Sequence, residues 1–128
     1  MPNPNSASST AWTIRYAERI LEDDLDEVGY AAFQVAKKAI EKKLKIAPDQ
    51  YGESLHDPLH AFRKLKSSHI RIVYKVDPEV GGVLILMIGD RRDIWDTEQG
   101  EILKRYEQDL HERHREEKPP KKRKGRQG

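Results

Sequence analysis

The sequence predicts an α+β domain with elements in the order β-α-α-β-β-β-α. The expected architecture is a small, antiparallel-dominated sheet with a helical pair on one face and a C-terminal helix. Three observations predict it. Trp12-Thr13-Ile14-Arg15-Tyr16 alternates large apolar and polar residues, the period of a half-buried strand. From Ala17 to Lys45 the apolar period becomes helical. Between Leu59 and Trp95 three strand-like runs follow one another across short turn signals.

In the first helix Ile20, Leu21, Leu25 and Val28 fall at helical spacing. Glu18, Glu22, Asp23, Asp24, Asp26 and Glu27 occupy its other faces. Gly29 ends or kinks it, because glycine is a poor helix former. A second helix over about 31–45 carries the apolar stripe Phe33, Ala36, Ile40 and Leu44, and Pro48 stops it. A loop, Asp49 to Pro58, holds the turn signals Tyr51-Gly52 and Asp57-Pro58.

The first strand of the central run is His60-Ala61-Phe62-Arg63-Lys64-Leu65-Lys66, with Phe62, Lys64 and Lys66 on one face. The second is Ile70 to Val76. Ile70, Ile72, Tyr74 and Val76 form the face to bury against the helices, and Arg71, Val73 and Lys75 the opposite one. Pro78, Gly81 and Gly82 turn the chain into the third, Val83 to Ile88. It is apolar on both faces, as a central strand covered on both sides would be. A last helix follows Trp95, with Asp96 and Gln99 in capping-box chemistry and a stripe of Ile102, Leu103, Tyr106 and Leu110.

The domain is expected to span 11–112. Residues 1–10 are small, polar and proline-containing, and are read as a disordered N-terminus. Residues 113–128 are read as a basic, mostly disordered tail. That tail carries eight Lys/Arg against two Asp/Glu, which leaves sixteen against twenty for the rest, so a mildly acidic body has a polybasic arm. Such an arm binds polyanions through counterion release. The chain has no cysteine, which excludes disulfides and thiolate metal sites. It has no apolar run of membrane-spanning length and no apolar signal core, so a cytoplasmic location is expected.

The cations near the strand ends carry the chemistry. Lys64 and Arg71 can face the same side of adjacent strands, and Arg91 lies just past the end of the third. Such a cluster costs self-repulsion, which an anion relieves. Guanidinium groups grip phosphate oxygens in pairs, and a lysine among cations can serve as a base toward a 2′-hydroxyl. Arg63, Lys66, Arg92 and His69 extend the basic surface, and Trp95 with Phe62 could stack on a base. The plainer alternative is that these cations are solvated faces that blunt sheet edges. The five histidines show no metal-ligand spacing, and an acidic helix face at Asp23-Asp24 and Asp26-Glu27 is an ordinary charged surface. No cofactor and no metal are expected.

The run Leu59, Arg63-Lys64-Leu65-Lys66-Ser67-Ser68, Ile70-Arg71-Ile72-Val73-Tyr74-Lys75-Val76 and Ile88-Gly89-Asp90-Arg91 resembles the RelE/ParE toxin superfamily, and within it the RelE-like branch. The resemblance covers about residues 12–106. It implies a small toxin of a type II toxin–antitoxin pair, whose partners are a cognate antitoxin, mRNA and the ribosome with its rRNA, and no membrane. It implies an endoribonuclease, an mRNA interferase that inhibits translation by 2′-hydroxyl attack and leaves a 2′,3′-cyclic phosphate. By this resemblance Lys64 is the candidate base, Arg71 a phosphate clamp and Arg91 a transition-state stabiliser or acid. The sequence departs from the pattern at Phe62, where a lysine is expected, at Trp95, where a tyrosine is expected, and at Ile70, where an aromatic is expected. Two other functions stay open: a ParE-like toxin that inhibits DNA gyrase without cutting RNA, and a nucleic-acid-binding module without catalysis.

Overall fold

The computed structural model describes residues 11–117, with side chains to Glu112. The proposed disordered segment 1–10 and the basic tail from Lys118 onward lie outside the described residues.

Strand β1 is Thr13–Tyr16. Helix α1 opens with a π turn, Ile20–Asp24, and continues as an α turn, Leu25–Val28. Gly29 closes it at φ +91°, a conformation that costs any residue with a Cβ. Helix α2 is Tyr30–Ala39 followed by a second π turn, Ile40–Leu44. The remaining strands are β2 (Glu53–Ser54), β3 (Arg63–Ser67), β4 (Ile70–Asp77) and β5 (Gly82–Gly89). Helix α3 is the turn Ile94–Thr97, and α4 is the long helix Gln99–Glu117.

The five strands form one sheet in the order β1-β5-β4-β3-β2. All neighbours are antiparallel except β1 and β5, which run parallel. The helical connection between β1 and the rest of the sheet makes that parallel pairing possible. The short β2 was not expected from sequence; two residues are too few for any period to show. Two boundaries also shift. β3 begins at Arg63, so Phe62 lies before the strand in a turn closed by its amide on the Leu59 carbonyl at 2.9 Å. The last helix begins with Ile94 and Trp95 inside α3, and Asp93 precedes that turn, so Asp96 does not cap the helix. Helix α4 runs to Glu117, five residues beyond the expected domain end.

The central strand reads as expected: every residue of β5 from Gly82 to Ile88 is buried. Ile70, Ile72 and Tyr74 of β4 are fully buried, and so is Val73 on the opposite face. Both faces of the sheet are therefore covered around β4 and β5. On the α4 stripe, Ile102 is fully buried, while Leu110 is 42% exposed and leaves the contact.

The register between β4 and β5 skips Leu86: Val73 pairs with Met87, and Tyr74 with Ile85. The pairing of β1 with β5 stops at Tyr16 and Ile85. Past that point the backbone of β5 is met by side chains. The Leu86 carbonyl accepts from Arg105 Nη1 at 3.0 Å, and the Ile88 amide donates to Asp24 Oδ2 at 2.8 Å. Asp24 and Arg105 are themselves a two-pronged ion pair, Nη1 to Oδ2 at 2.8 Å and Nη2 to Oδ1 at 2.9 Å. Glu101 Oε2 takes the remaining Arg105 Nε at 2.9 Å. One charged pair thus finishes the sheet edge where β1 ends and joins α1 to α4. Asp24, expected on the wet face of the first helix, is buried instead. A second pair, Arg15 Nη2 to Asp109 Oδ1 at 2.6 Å, holds α4 further along.

Candidate functional site

The site is built on β2, β3 and β4. In register, Glu53 faces Lys64, Lys64 faces Val73, and Lys66 faces Arg71. Directly opposed residues share a sheet face. Glu53, Lys64, Lys66, Arg71 and Val73 therefore stand on one side. Arg71 is in turn opposite Gly89 on β5. A Cβ at Gly89 would meet Ile94 Cδ1 and Cγ2 at 3.1 Å, so the chain can fold back closely over this point. The fold-back carries Trp95 onto the basic face.

Lys64 and Arg71 meet on that ring. Lys64 Nζ lies 4.7 Å from the Trp95 centroid and Arg71 Cζ 5.9 Å from it. Both distances fall in the range where a cation is attracted by the ring's electron-rich face. Lys64 Nζ also lies 3.9 Å from Glu53 Oε1, and its side chain is only 19% exposed. Arg71 Nη1 donates to the carbonyls of Ser68 at 3.0 Å and Ile70 at 3.3 Å. Ser68 sits in the two-residue β3–β4 turn at φ +58°, which turns its carbonyl toward the guanidinium. Arg71 Nε is buried without a hydrogen-bond partner. A buried donor left unpaired is expensive in a structural role.

Arg91 is brought to the same end of the sheet, two residues past Gly89, but its side chain turns to α4. Nη2 donates to Glu98 Oε2 at 2.8 Å. It lines a cleft with Asp23, Glu27, Glu98 and Glu101, separate from the Trp95 ring. Lys66, His69 and Arg92 are exposed around the same end. Arg63 serves a different purpose. Its guanidinium donates to the carbonyls of Tyr51 and Gly52, each at 3.1 Å, and to the Tyr74 hydroxyl at 3.4 Å. It holds the loop before β2 rather than presenting charge. The Tyr74 hydroxyl reaches the carbonyls of Pro48 at 2.9 Å and Tyr51 at 2.7 Å. Burial pushes its pKa up, with Arg63 acting in the opposite sense.

The two rings expected to stack on bases are packed in this arrangement. Phe62 is 2% exposed and meets Tyr106 edge to face at 5.2 Å. Trp95 is 9% exposed and carries the two cations. Among the described residues no group of His, Asp and Glu is arranged to hold a metal ion, and no helix is long and apolar enough to cross a membrane.

Sequence reasoning missed three residues. Glu53 lay in a presumed loop, and only its pairing across β2–β3 brings it to Lys64. Asp24 carried no signal apart from its acidic neighbours. Arg105 falls among the charged residues of α4, although its place three residues after Ile102 and one before Tyr106 sets it on the covered side of the helix.

No family model matches the chain, and no curated protein matches it. Solved structures do. The architecture is similar to the toxin–antitoxin complex RelBE2 of Mycobacterium tuberculosis, with 20% identity, 69% of this chain and 100% of that chain covered, and a TM-score of 0.56. It is also similar to the isolated RelE toxin of E. coli, with 22% identity, 72% and 99% coverage and a TM-score of 0.51. A free E. coli RelE with two arginines substituted by alanine gives 25% identity, 74% and 97% coverage and a TM-score of 0.53. The site therefore stands on a RelE-like α+β fold, the fold that the motifs from Leu59 to Arg91 implied.

Proposed function

We propose that this chain is the toxin of a toxin–antitoxin pair and a ribosome-dependent mRNA endoribonuclease. The observation that carries the reading is the convergence of Lys64 and Arg71 on the Trp95 ring, on the sheet of a RelE-like fold. Two cations on one face suit a phosphodiester, which a single guanidinium can hold through two oxygens. In the reaction the 2′-oxygen attacks the adjacent phosphorus, the bond to the 5′-oxygen breaks, and a 2′,3′-cyclic phosphate forms. Lys64 and Arg71 supply charge to the phosphorane and, with Arg91, proton transfer and leaving-group stabilisation. Arg91 must leave Glu98 for this. Their ion pair is more than half exposed on the arginine side, and such a pair is worth about 0–1 kcal/mol, so a phosphate competes with it readily.

An antitoxin partner is part of the same reading, since a structural relative was crystallised in a toxin–antitoxin complex. The test uses ribosomes carrying a short 5′-labelled mRNA. Wild-type protein should yield a defined fragment ending in a cyclic phosphate, and Arg71→Ala should slow its formation by about 10²-fold or more. Intact mRNA after prolonged incubation with wild type would remove the nuclease reading.

A further inference from the structure

Phe62 and Trp95 are covered, but a third ring beside them stands half open. We propose that the groove between the far half of β4 and helix α4 is a nucleotide subsite, in which a base flanking the cleaved bond stacks on Tyr106 and its phosphate meets Lys75. The inference rests on the endoribonuclease reading and names where the next nucleotide of the RNA lies.

The sheet sets this groove beside the cations already described. Arg71, Val73 and Lys75 leave one face of β4, because side chains alternate along a strand. Lys64 is directly opposite Val73, midway between the other two. From Arg71 to Lys75 the strand advances by about 13 Å. Lys75 is opposite Leu84 of β5, so Leu84 forms the floor on that face. Tyr106 of α4 forms the wall. Its ring meets Phe62 edge to face at 5.2 Å, and Phe62 stands just before the strand that carries Lys64. The groove has a volume of about 370 Å³, and Lys75, Val76, Asp77, Glu79, Leu84 and Tyr106 line it. That volume lies in the range of pockets that hold small molecules.

Each part suits a nucleotide. Tyr106 is half-buried, while Trp95 is 9% exposed and lies under two cations. The Tyr106 ring carries Lys75, whose Nζ lies 5.9 Å from the centroid. A lysine stem is flexible. Stacking of a base on an aromatic ring is worth more than an exposed cation–π contact, so a base displaces the ammonium from the ring. The ammonium then stands at the rim of the groove for the phosphate. Asp77 and Glu79 line the groove as well. Their carboxylates repel a phosphate, so the base enters and the phosphate stays at Lys75. Carboxylate oxygens accept hydrogen bonds, which favours a base that carries an amino group. Adenine, guanine and cytosine have one, and uracil has none. The subsite therefore discriminates against uracil.

The experiment measures cleavage by the full chain on ribosomes programmed with two mRNAs that differ only in cytosine or uracil beside the cleaved bond. Wild type is compared with Tyr106→Leu, Tyr106→Phe and Lys75→Gln, and urea midpoints are measured in parallel. Tyr106→Leu should lower kcat/KM on the cytosine mRNA by about tenfold, carried by KM rather than kcat, and should erase the preference over uracil. Tyr106→Phe keeps the ring and should behave as wild type. Lys75→Gln should raise KM on both mRNAs alike and keep the preference, as the loss of a phosphate contact does. Tyr106→Leu with the KM and base preference of wild type would overturn the inference and leave the nuclease reading intact. So would a Tyr106→Phe as impaired as Tyr106→Leu, or a loss in kcat alone that follows a fall in urea midpoint. A wild-type protein that cuts neither mRNA would remove the nuclease reading itself, and this subsite with it.

Discussion

Substituting Arg105 by methionine should destabilise the domain more than the loss of any exposed charge. Arg105 is 4% exposed and Asp24 5%. Methionine fills much of the volume but removes both prongs of the ion pair, the bond to the Leu86 carbonyl and the bond to Glu101. What remains is the buried Asp24 carboxylate, which still accepts from the Ile88 amide but has lost its countercharge. Removing one partner of a buried pair costs about 3–5 kcal/mol, because the other charge stays behind. A domain of this size is stable by about 5–15 kcal/mol in total, so the loss is a large share of it. With a urea slope of about 1.5 kcal/mol per M, the midpoint should fall by roughly 2–3 M. Fluorescence of Trp12 and Trp95 during urea unfolding would follow it. The double variant Asp24→Leu with Arg105→Met removes both charges and should recover most of the loss. A shift under about 0.5 M for Arg105→Met would refute the view that this pair completes the β5 edge and anchors α4.

Three further outcomes follow from the packing. Tyr74→Phe leaves the Pro48 and Tyr51 carbonyls without the hydroxyl and should cost about 1–3 kcal/mol in the same melt. Gly52→Ala should be destabilising by at least about 1 kcal/mol, because Gly52 has φ +73° and a Cβ would strike the Tyr74 hydroxyl and lie 2.6 Å from the Lys64 carbonyl oxygen. Burial raises the pKa of Tyr74, and burial with the Glu41 charge raises that of Tyr16. Each phenol holds its proton longer when folded, so their contribution is full below about pH 10 and is lost as pH rises from there through the folded values. Urea midpoints should therefore fall above about pH 10, and a Tyr74→Phe variant should fall less steeply.

Much of the fold could be read directly from the chain. The change from period two at Trp12–Tyr16 to helical period at Ile20–Leu44, and the unbroken apolar run of β5, reflect burial patterns that depend on local geometry alone. The facing of Lys64 and Arg71 also followed from strand alternation. Other features depended on contacts between distant segments. Glu53 reaches Lys64 only through an edge strand of two residues, and no sequence period reveals so short a pairing. Asp24 looked like one more acid on a charged helix, because its partner lies eighty-one residues away. The sequence shows Trp95 and Phe62 as rings able to stack on a base, but not what covers them. Trp95 lies under two cations, and Phe62 under Tyr106 of α4. Arg91 shows the same limit: its position in the chain placed it at the sheet end, while Glu98 decided where its guanidinium points.

The measurement that tests the central claim most directly is induced expression of wild type beside Lys64→Ala and Arg71→Ala, with growth followed and primer extension run on a cellular mRNA. The account predicts growth arrest with new in-frame cleavage ends for wild type, and the loss of both in each variant. Arrest with no new mRNA ends, or ends that persist unchanged when Lys64 and Arg71 are removed, would contradict it.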